Sequence, residues 1–597
     1  MCGIAGIINF GARPIEDTDF RQLSNSLIHR GPDDSGEYKY NSERISVVFV
    51  HRRLKIIDLS PQAHQPMSNE NGRLWLMYNG EIYNYIELRN ELISLGHAFK
   101  SHSDSEVVIH AYEEWGKDCL DKFIGMWAFA IWDEPSQVLF CARDRIGMKP
   151  FYYNFKPDNN FIFASELKSF LCLKKEWSLN HNAVYSFLKL GYCLNSETWI
   201  KEIKSLSPGH YLYLKDGNLE INSYWDPDHF TVREYDEIDI KKKLRQALED
   251  SISLHSRSDV KIGAYLSGGI DSSSIVALMC RKSGKPVQTF SGIFNEGSKY
   301  DETAYITGME KAYSLKGKHI LITQDRFMET MNELAWSLDE PIVGPGSYAQ
   351  FCVCETIKSE GFKVVMGGQG GDELFGGYTS YLTGIPSSAS GLTKQDSHIN
   401  GNPISYLNNI RFQIEARLLS AKRLLKKSVS LSRLRIESEL NPDILDNVDI
   451  AFRQRLEDCP LKTEDMLLWD LKYYLPALLQ VEDRIGMAFS IETRLPLLDY
   501  RIVELSLSIP FYLKINKYST KYILRESVKD LLPDEIYSRR DKMGFPTPMD
   551  KWLKEEGIKD ALREEAGPHI KRLFRDTKDL SWEKALVGLW LKKTKIN

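Results

Sequence analysis

The apolar pattern of this chain changes character near residue 225, and no single layer architecture accommodates both halves. Upstream, short β-rich runs dominate: SVVFVHRRLKIID, LWLMYNGEIYN, MWAFAIWD, VLFCARD and FIFASE. Two helical stretches, near Tyr85–Leu95 and Ser105–Trp115, interrupt them. This mixture predicts an α+β layered domain with antiparallel sheets. Downstream, from about Ile240, the runs VKIGAYL, VQTFSGIF, KHILIT and FKVVMGG alternate with helical segments. That alternation predicts an α/β doubly wound parallel sheet. After about Ala451, segments such as MLLWDLKYYLPALL carry apolar residues at helical spacing and predict a helical C-terminal part. Between the halves, YWDPDHFTVREYDEID holds Pro227 and several acids and reads as a connector. We therefore expect domains at 1–224 and 240–597 with a linker at 225–239, and a polar surface excursion at Ser387–Asn402. A length of 597 residues independently requires more than one hydrophobic core.

Composition removes several function classes. The net charge is −5 and there is no basic tail, which argues against a nucleic-acid or anionic-membrane partner. No run approaches the roughly 18 apolar residues of a membrane helix, and the N-terminus lacks the basic and apolar regions of a signal peptide. The nine cysteines are scattered; the closest pair, Cys352 and Cys354, is one residue too tight for a zinc knuckle. Reduced thiols in the cytoplasm are the expectation.

Two glycine turns carry chemistry. The strand KIGAYL runs into SGGIDSSSIVALM, so Gly268 and Gly269 open a helix whose free backbone N–H groups and dipole favour an anion. Ser267, Ser272 and Ser273 add hydroxyls, and Asp271 places a carboxylate beside a phosphate site, which is costly unless Mg²⁺ lies between them. No G-x-x-x-x-G-K-[ST] pattern occurs. The second turn, GGQGGDELFGGY, follows FKVVM and holds Gly367, Gly368, Gly370, Gly371, Gly376 and Gly377 around Asp372 and Glu373. Ligands of doubly wound sheets gather at the carboxyl ends of strands, so both turns point to one nucleotide–metal site.

The N-terminal segment MCGIAGI, with HRGPDDSG (29–36), HRRLKIID (51–58), YNGEIYNY (78–85) and SDSEV (103–107), resembles the class II glutamine amidotransferase domain. With SGGIDSS behind it, nearly the whole chain resembles the glutamine-hydrolysing asparagine synthetase family. The resemblance implies an N-terminal-nucleophile sandwich followed by an ATP pyrophosphatase-type synthetase domain. It implies removal of Met1, with the Cys2 thiolate as nucleophile and its own α-amino group as the local base. Gly3 would let substrate approach the backbone. Asn79 and Gly80 would form the oxyanion hole, although Asn-Gly is also a strong hairpin signal. Arg53 would bind the glutamine α-carboxylate, while Glu81 and Asp104 would bind its ammonium; Asp104 could instead cap the helix that follows.

In the synthetase half the resemblance implies that Leu266, Ser267, Gly268, Gly269, Asp271, Ser272 and Gly368 bind ATP. Asp271 and Asp372 would hold Mg²⁺, and Gln369 and Asp372 would meet the acceptor. Lys521, in YSTKYILRE, matches the catalytic-lysine segment; Ser519 as N-cap would place it in the first helical turn. Asp483, Glu492 and Arg494, in VEDRIGMAFSIETRLPLLD, would pair with one another, line an ammonia route or serve a purely structural role. One departure stands out: the family pattern G-E-G-x-D-E carries a glutamate where this chain has Gln369, an amide that cannot act as a base. The expected reaction converts aspartate to asparagine through an acyl-adenylate attacked by ammonia, with ATP and Mg²⁺ as cofactors and small molecules as partners; a homodimer is left open. Alternatives are a different carboxylate (a sugar uronic acid, a peptide or a secondary metabolite) and a glutamine-binding protein with an inactive synthetase half.

Overall fold

A computed structural model describes residues 1–597 except 12, 158, 195, 343, 385–437, 458–462, 517–518, 541–546, 578–579 and 597. The expected excursion at Ser387–Asn402 lies outside the described residues.

The N-terminal half is two stacked six-stranded antiparallel sheets. In the first, Gly3–Phe10 lies between Asn160–Ala164 and Ile45–Arg53. In the second, Leu74–Ile82 pairs with Gly125–Asp133, which pairs with Val138–Arg143. Facing residues such as Ile4, Ile8, Phe49, Met77, Ala130 and Trp132 interdigitate between the sheets. The period-2 alternation of strands puts one set of side chains into this layer and the other outward. Leu76, Tyr78, Phe129 and Ile131 face outward, and the helices Tyr85–Ser94 and Asp104–Trp115 cover that side of the second sheet.

Both expected helices form, but so do Asp17–Ser26, Cys119–Lys122, Leu167–Leu171 and His181–Leu190. The first of these buries only Phe20 and Leu23, too narrow a stripe to stand out. His181–Leu190 is rich in aromatic and β-branched residues, and docking of Ala183, Val184 and Phe187 overrides that propensity. The connector is shorter than expected. A 19-residue helix, Glu237–His255, begins inside it, capped by the Asp236 side chain.

The second half is built on a five-stranded parallel sheet ordered Lys316–Leu321, Gln288–Ile293, Ile262–Tyr265, Val364–Met366, Glu492–Arg494. Numbered along the chain this is 3-2-1-4-5, so the order reverses between Ile262–Tyr265 and Val364–Met366. These two strands pair directly, Ala264 opposite Met366, and each runs into one of the glycine turns. The topology thus opens a crevice at the carboxyl ends of neighbouring strands. The segment MLLWDLKYYLPALL is helical, with one π-turn at Asp470–Tyr474 between Thr463–Trp469 and Leu475–Ala488. Among the described residues no helix is long and apolar enough to cross a membrane.

Candidate active site

The first strand carries Cys2 to the edge of the sandwich, where the Cys2 backbone N–H donates to Asn79 Oδ1 at 2.9 Å. Asn79 and Gly80 lie inside the strand Leu74–Ile82, so the hairpin alternative is wrong: the chain runs straight through them. Asn79 is fully buried, and its Nδ2 has no hydrogen-bond partner among the described residues. An orphaned buried donor is costly, and an oxyanion beside Cys2 would satisfy it. At Gly80 any Cβ would fall 2.3 Å from the Met126 carbonyl oxygen, so only glycine fits. At Gly3 a notional Cβ would fall 2.8 Å from the Leu27 side chain.

Burial pushes the Cys2 thiol pKa up, and the N-terminal ammonium and Arg53 pull it partly back. Arg53 is buried and donates to the carbonyl oxygens of Ile57, Asp58 and Ser60, which fixes its plane. Asp104 does not cap its helix; Ser103 does, accepting from the Ser105 N–H. Asp104 Oδ2 instead accepts from Tyr78 Oη at 2.8 Å and the Ile82 N–H at 3.0 Å, tying helix to strand. Burial, followed by the Glu492 charge, pushes Glu81 well above the usual carboxylate range. The Met1 ammonium pairs with Glu492 Oε2 at 3.2 Å, and Arg494 reaches Glu81 at 3.3 Å.

The second cluster forms where the glycine turns meet. Gly268 has φ +69° and Gly269 caps the helix Ile270–Ser283. Ser272 Oγ bonds back to the Ser267 N–H, tightening the loop below Leu266. Ser273, expected as a further donor, is fully buried. A Cβ on Gly368 would lie 2.7 Å from the Ser272 nitrogen, and one on Gly371 would lie 2.5 Å from Asp271 Cγ. The two turns therefore approach backbone to backbone, which glycine permits. Gln369, within the second turn, is half-buried.

Lys521 joins the turns. Its Nζ contacts Asp271 Oδ2 and lies 2.7 Å from Asp372 Oδ1. The residue is not in a first helical turn. It precedes the helix Tyr522–Val528 in a left-handed conformation, φ 53°, a cost tolerated where surrounding contacts over-determine it. Burial opposes its charge, but Asp271 and Asp372 raise its pKa on balance. Two carboxylates beside backbone-lined turns are the hard-oxygen donor set that suits Mg²⁺, so the residues present fit that ion.

A network of buried charges couples the halves. Arg30 is fully buried. It donates to the Cys2 carbonyl at 3.0 Å, to Glu166 at 2.8 Å, and to both Asp483 oxygens at 2.8 and 3.1 Å. Asp483 therefore does not pair with Arg494 as expected. Its partners are Arg30 and Arg484, while Arg494 pairs with Glu492 at 2.7 Å. Sequence reasoning missed Arg30, although it lies in the quoted HRGPDDSG. Its partner Asp483 is 453 positions away, beyond any local pattern. Between the sites lies a small cavity, about 10 Å³, lined by Met1, Met148, Leu479, Glu482, Thr493 and Leu495 among others.

Comparison with known proteins adds the following. Residues 243–581 match the family described as asparagine synthase, and residues 1–225 match the glutamine amidotransferase domain. The chain is 31% identical over 580 residues to asparagine synthetase [glutamine-hydrolyzing] 1 of Bacillus subtilis, covering 93% of this chain and 88% of that one. It is 37% identical over 406 residues to a putative asparagine synthetase [glutamine-hydrolyzing] 2 of Methanocaldococcus jannaschii, covering 64% and 77%. It is 27% identical over 613 residues to a Gibberella zeae protein titled amidase chry2, covering 92% and 90%.

Proposed function

Because this chain belongs to the glutamine-hydrolysing asparagine synthetase family, and is thus a glutamine-hydrolysing ligase with ATP as a substrate, we propose that it converts aspartate to asparagine with glutamine as nitrogen donor. In this reading the first site releases ammonia. Cys2 Sγ attacks the glutamine amide carbon, and the α-amino group freed by loss of Met1 takes the thiol proton. Asn79 Nδ2 and the Gly80 N–H stabilise the oxyanion. Arg53 binds the substrate carboxylate, and Glu81 and Asp104 its ammonium. The orphaned Asn79 Nδ2, beside the nitrogen of Cys2, is the observation that carries this half.

At the second site the acceptor carboxylate attacks the α-phosphate of ATP, forming an acyl-adenylate and pyrophosphate. Leu266, Ser267, Gly268, Gly269, Ser272 and Gly368 line the phosphates, and Lys521 neutralises developing charge on pyrophosphate. Gln369 and Asp372 face the acceptor. Asp271 and Asp372 would hold Mg²⁺, which when bound supplies positive charge to the phosphate oxygens. The amidase title of one relative supports keeping a second acceptor in view, as does an amide at Gln369.

The test is purified protein with ATP, Mg²⁺ and glutamine, with pyrophosphate measured against a panel of carboxylates, aspartate first. Aspartate should stimulate release most; stimulation by another acid alone would refute the aspartate assignment. Cys2→Ala should abolish glutamine-driven product yet retain ammonia-driven product, and loss of both would refute the two-site division.

A further inference from the structure

The helix Asp104–Trp115 carries His110 and Glu113 three positions apart, so both side chains fall on one face. His97 reaches that face from the connection after the helix Tyr85–Ser94, and the two imidazole rings lie with centroids 5.1 Å apart. His97 Nδ1 stands 3.8 Å and His110 Nδ1 3.6 Å from the same oxygen, Glu113 Oε2. The far end of each group is held. His97 Nε2 bonds Glu114 Oε2 at 3.1 Å. His110 Nε2 lies 3.7 Å from Glu106 Oε1 and 3.8 Å from Glu70 Oε1. Glu113 Oε1 accepts from Asn69 Nδ2 at 3.0 Å. Carboxylates at both Nε2 atoms favour the tautomer with its proton there, which leaves the lone pairs on the two Nδ1 atoms. Three acceptor atoms therefore converge on one another.

His110 is 1% exposed, and its Nδ1 is enclosed with no hydrogen-bond partner among the described residues. Glu113 Oε2, at 3.6 Å, is beyond hydrogen-bond length. A proton shared between the two would draw them to about 2.8 Å. Ligand atoms around a tetrahedral zinc ion stand about 3.4 Å apart. All three ligand atoms lie within 4.8 Å of one another, and rotation of the partly exposed His97 side chain closes the remaining gap. Charge points the same way. Glu70, Glu106, Glu113 and Glu114 crowd the two imidazoles, and among the described residues no lysine or arginine pairs with any of the four. Arg89, on the neighbouring helix, instead stacks on the Phe99 ring and donates to the Ser101 carbonyl.

We propose that His97, His110 and Glu113 form a binding site for one Zn²⁺ ion, held by the two Nδ1 atoms and Glu113 Oε2 with water in the fourth position. Two imidazole nitrogens and a carboxylate oxygen are a donor set that suits this ion, and Glu114, Glu106, Glu70 and Asn69 orient the ligands from behind. The Glu113 side chain is 29% exposed, which gives the ion a way in. The site lies in the N-terminal half, separate from the carboxylates beside Lys521. Its role is structural. The ion ties the connection holding His97 to the helix whose first residue, Asp104, accepts from Tyr78 Oη and the Ile82 N–H. Those two groups belong to the strand Leu74–Ile82, which also carries Asn79. Zinc there would fasten the helical cover of the second sheet.

The test is metal binding to the full chain, stripped with EDTA and dialysed into millimolar Mg²⁺ so that hard-oxygen sites elsewhere are filled. Calorimetric titration with Zn²⁺ should show one equivalent bound with a dissociation constant below about 10 μM. Co²⁺ in its place should give the visible absorption of a tetrahedral ion without near-ultraviolet thiolate bands, which separates this site from the cysteines. His97 and Glu113 lie outside the core, so H97Q and E113Q should keep the parent's far-ultraviolet circular dichroism. Each should weaken Zn²⁺ at least ~10-fold and abolish the rise in melting temperature that Zn²⁺ gives the parent. Three results would each overturn the proposal: binding by the parent weaker than about 10 μM, thiolate bands in the Co²⁺ spectrum of the tightest equivalent, or H97Q and E113Q that both bind Zn²⁺ as the parent does. The first would leave the cluster as histidines ion-paired to glutamates.

Discussion

Removing Arg30 tests how the two halves are held together. The guanidinium is fully buried and spends its donors on the Cys2 carbonyl, Glu166 and Asp483. Arg30→Met keeps most of the volume but leaves two buried carboxylates short of a partner. Breaking a buried pair from one side costs about 3–5 kcal/mol, far more than a surface pair, because a charge is left uncompensated. At roughly 2–4 °C per kcal/mol for a domain of this size, the melting temperature should fall by about 6–20 °C. The loss should depend on pH. Burial raises the Asp483 pKa, but Arg30 and then Arg484 and Lys149 pull it below the ordinary value. Burial likewise opposes the Glu166 charge, yet His29, Lys168 and Arg30 hold it well below. A carboxyl with a depressed folded pKa stabilises fully above its unfolded pKa, near 4, and that contribution disappears as pH falls through the folded value. The gap between parent and variant should therefore be full at neutral pH and narrow below about pH 4. Scanning calorimetry across that range reads it directly. Asp483→Asn in the Arg30→Met background should recover part of the loss. A melting shift under about 2 °C, or no recovery in the double variant, would refute the argument.

Other outcomes follow from the same geometry. Asn79→Ala should lower glutamine hydrolysis about 10²–10³-fold while sparing ammonia-driven synthesis, because it removes one oxyanion donor and nothing in the second half; equal loss of both activities would contradict that role. Gly371→Ala inserts a methyl 2.5 Å from Asp271 Cγ, which should cost about 1–3 kcal/mol of stability and suppress the pyrophosphate burst while glutamine hydrolysis continues. An unchanged burst would remove the close approach of the turns from the account. Asp271→Asn should stop AMP release with either nitrogen source, and retained AMP release would take Asp271 out of the metal site.

Much of the chain's architecture was readable in one dimension. The strands of both halves announced themselves because alternating or continuous apolar runs are local patterns, visible in five to ten residues. The glycine turns were equally plain, since glycine clusters after a strand have few other uses. The helices Asp17–Ser26 and His181–Leu190 were not, because segments this short are fixed as helix by the surface they dock on. Lys521 was found as a residue but misplaced, since a left-handed non-glycine position is imposed by the two acids it must reach.

The amino-acid order alone thus determined which chemistry the molecule carries: a thiol at position 2, two phosphate-type turns, and an amide at Gln369 in place of an acid. Three-dimensional packing alone decided which charges face each other. The strand Glu492–Arg494 has the composition of a solvated loop, yet it lies buried at the sheet edge. The Met1 ammonium meets Glu492 there and Glu81 meets Arg494, both brought by the other half. A buried charge is tolerated when partners meet it: Glu492 and Arg494 bond each other within the strand at 2.7 Å, but their contacts with Met1 and Glu81 lie beyond any local window of sequence.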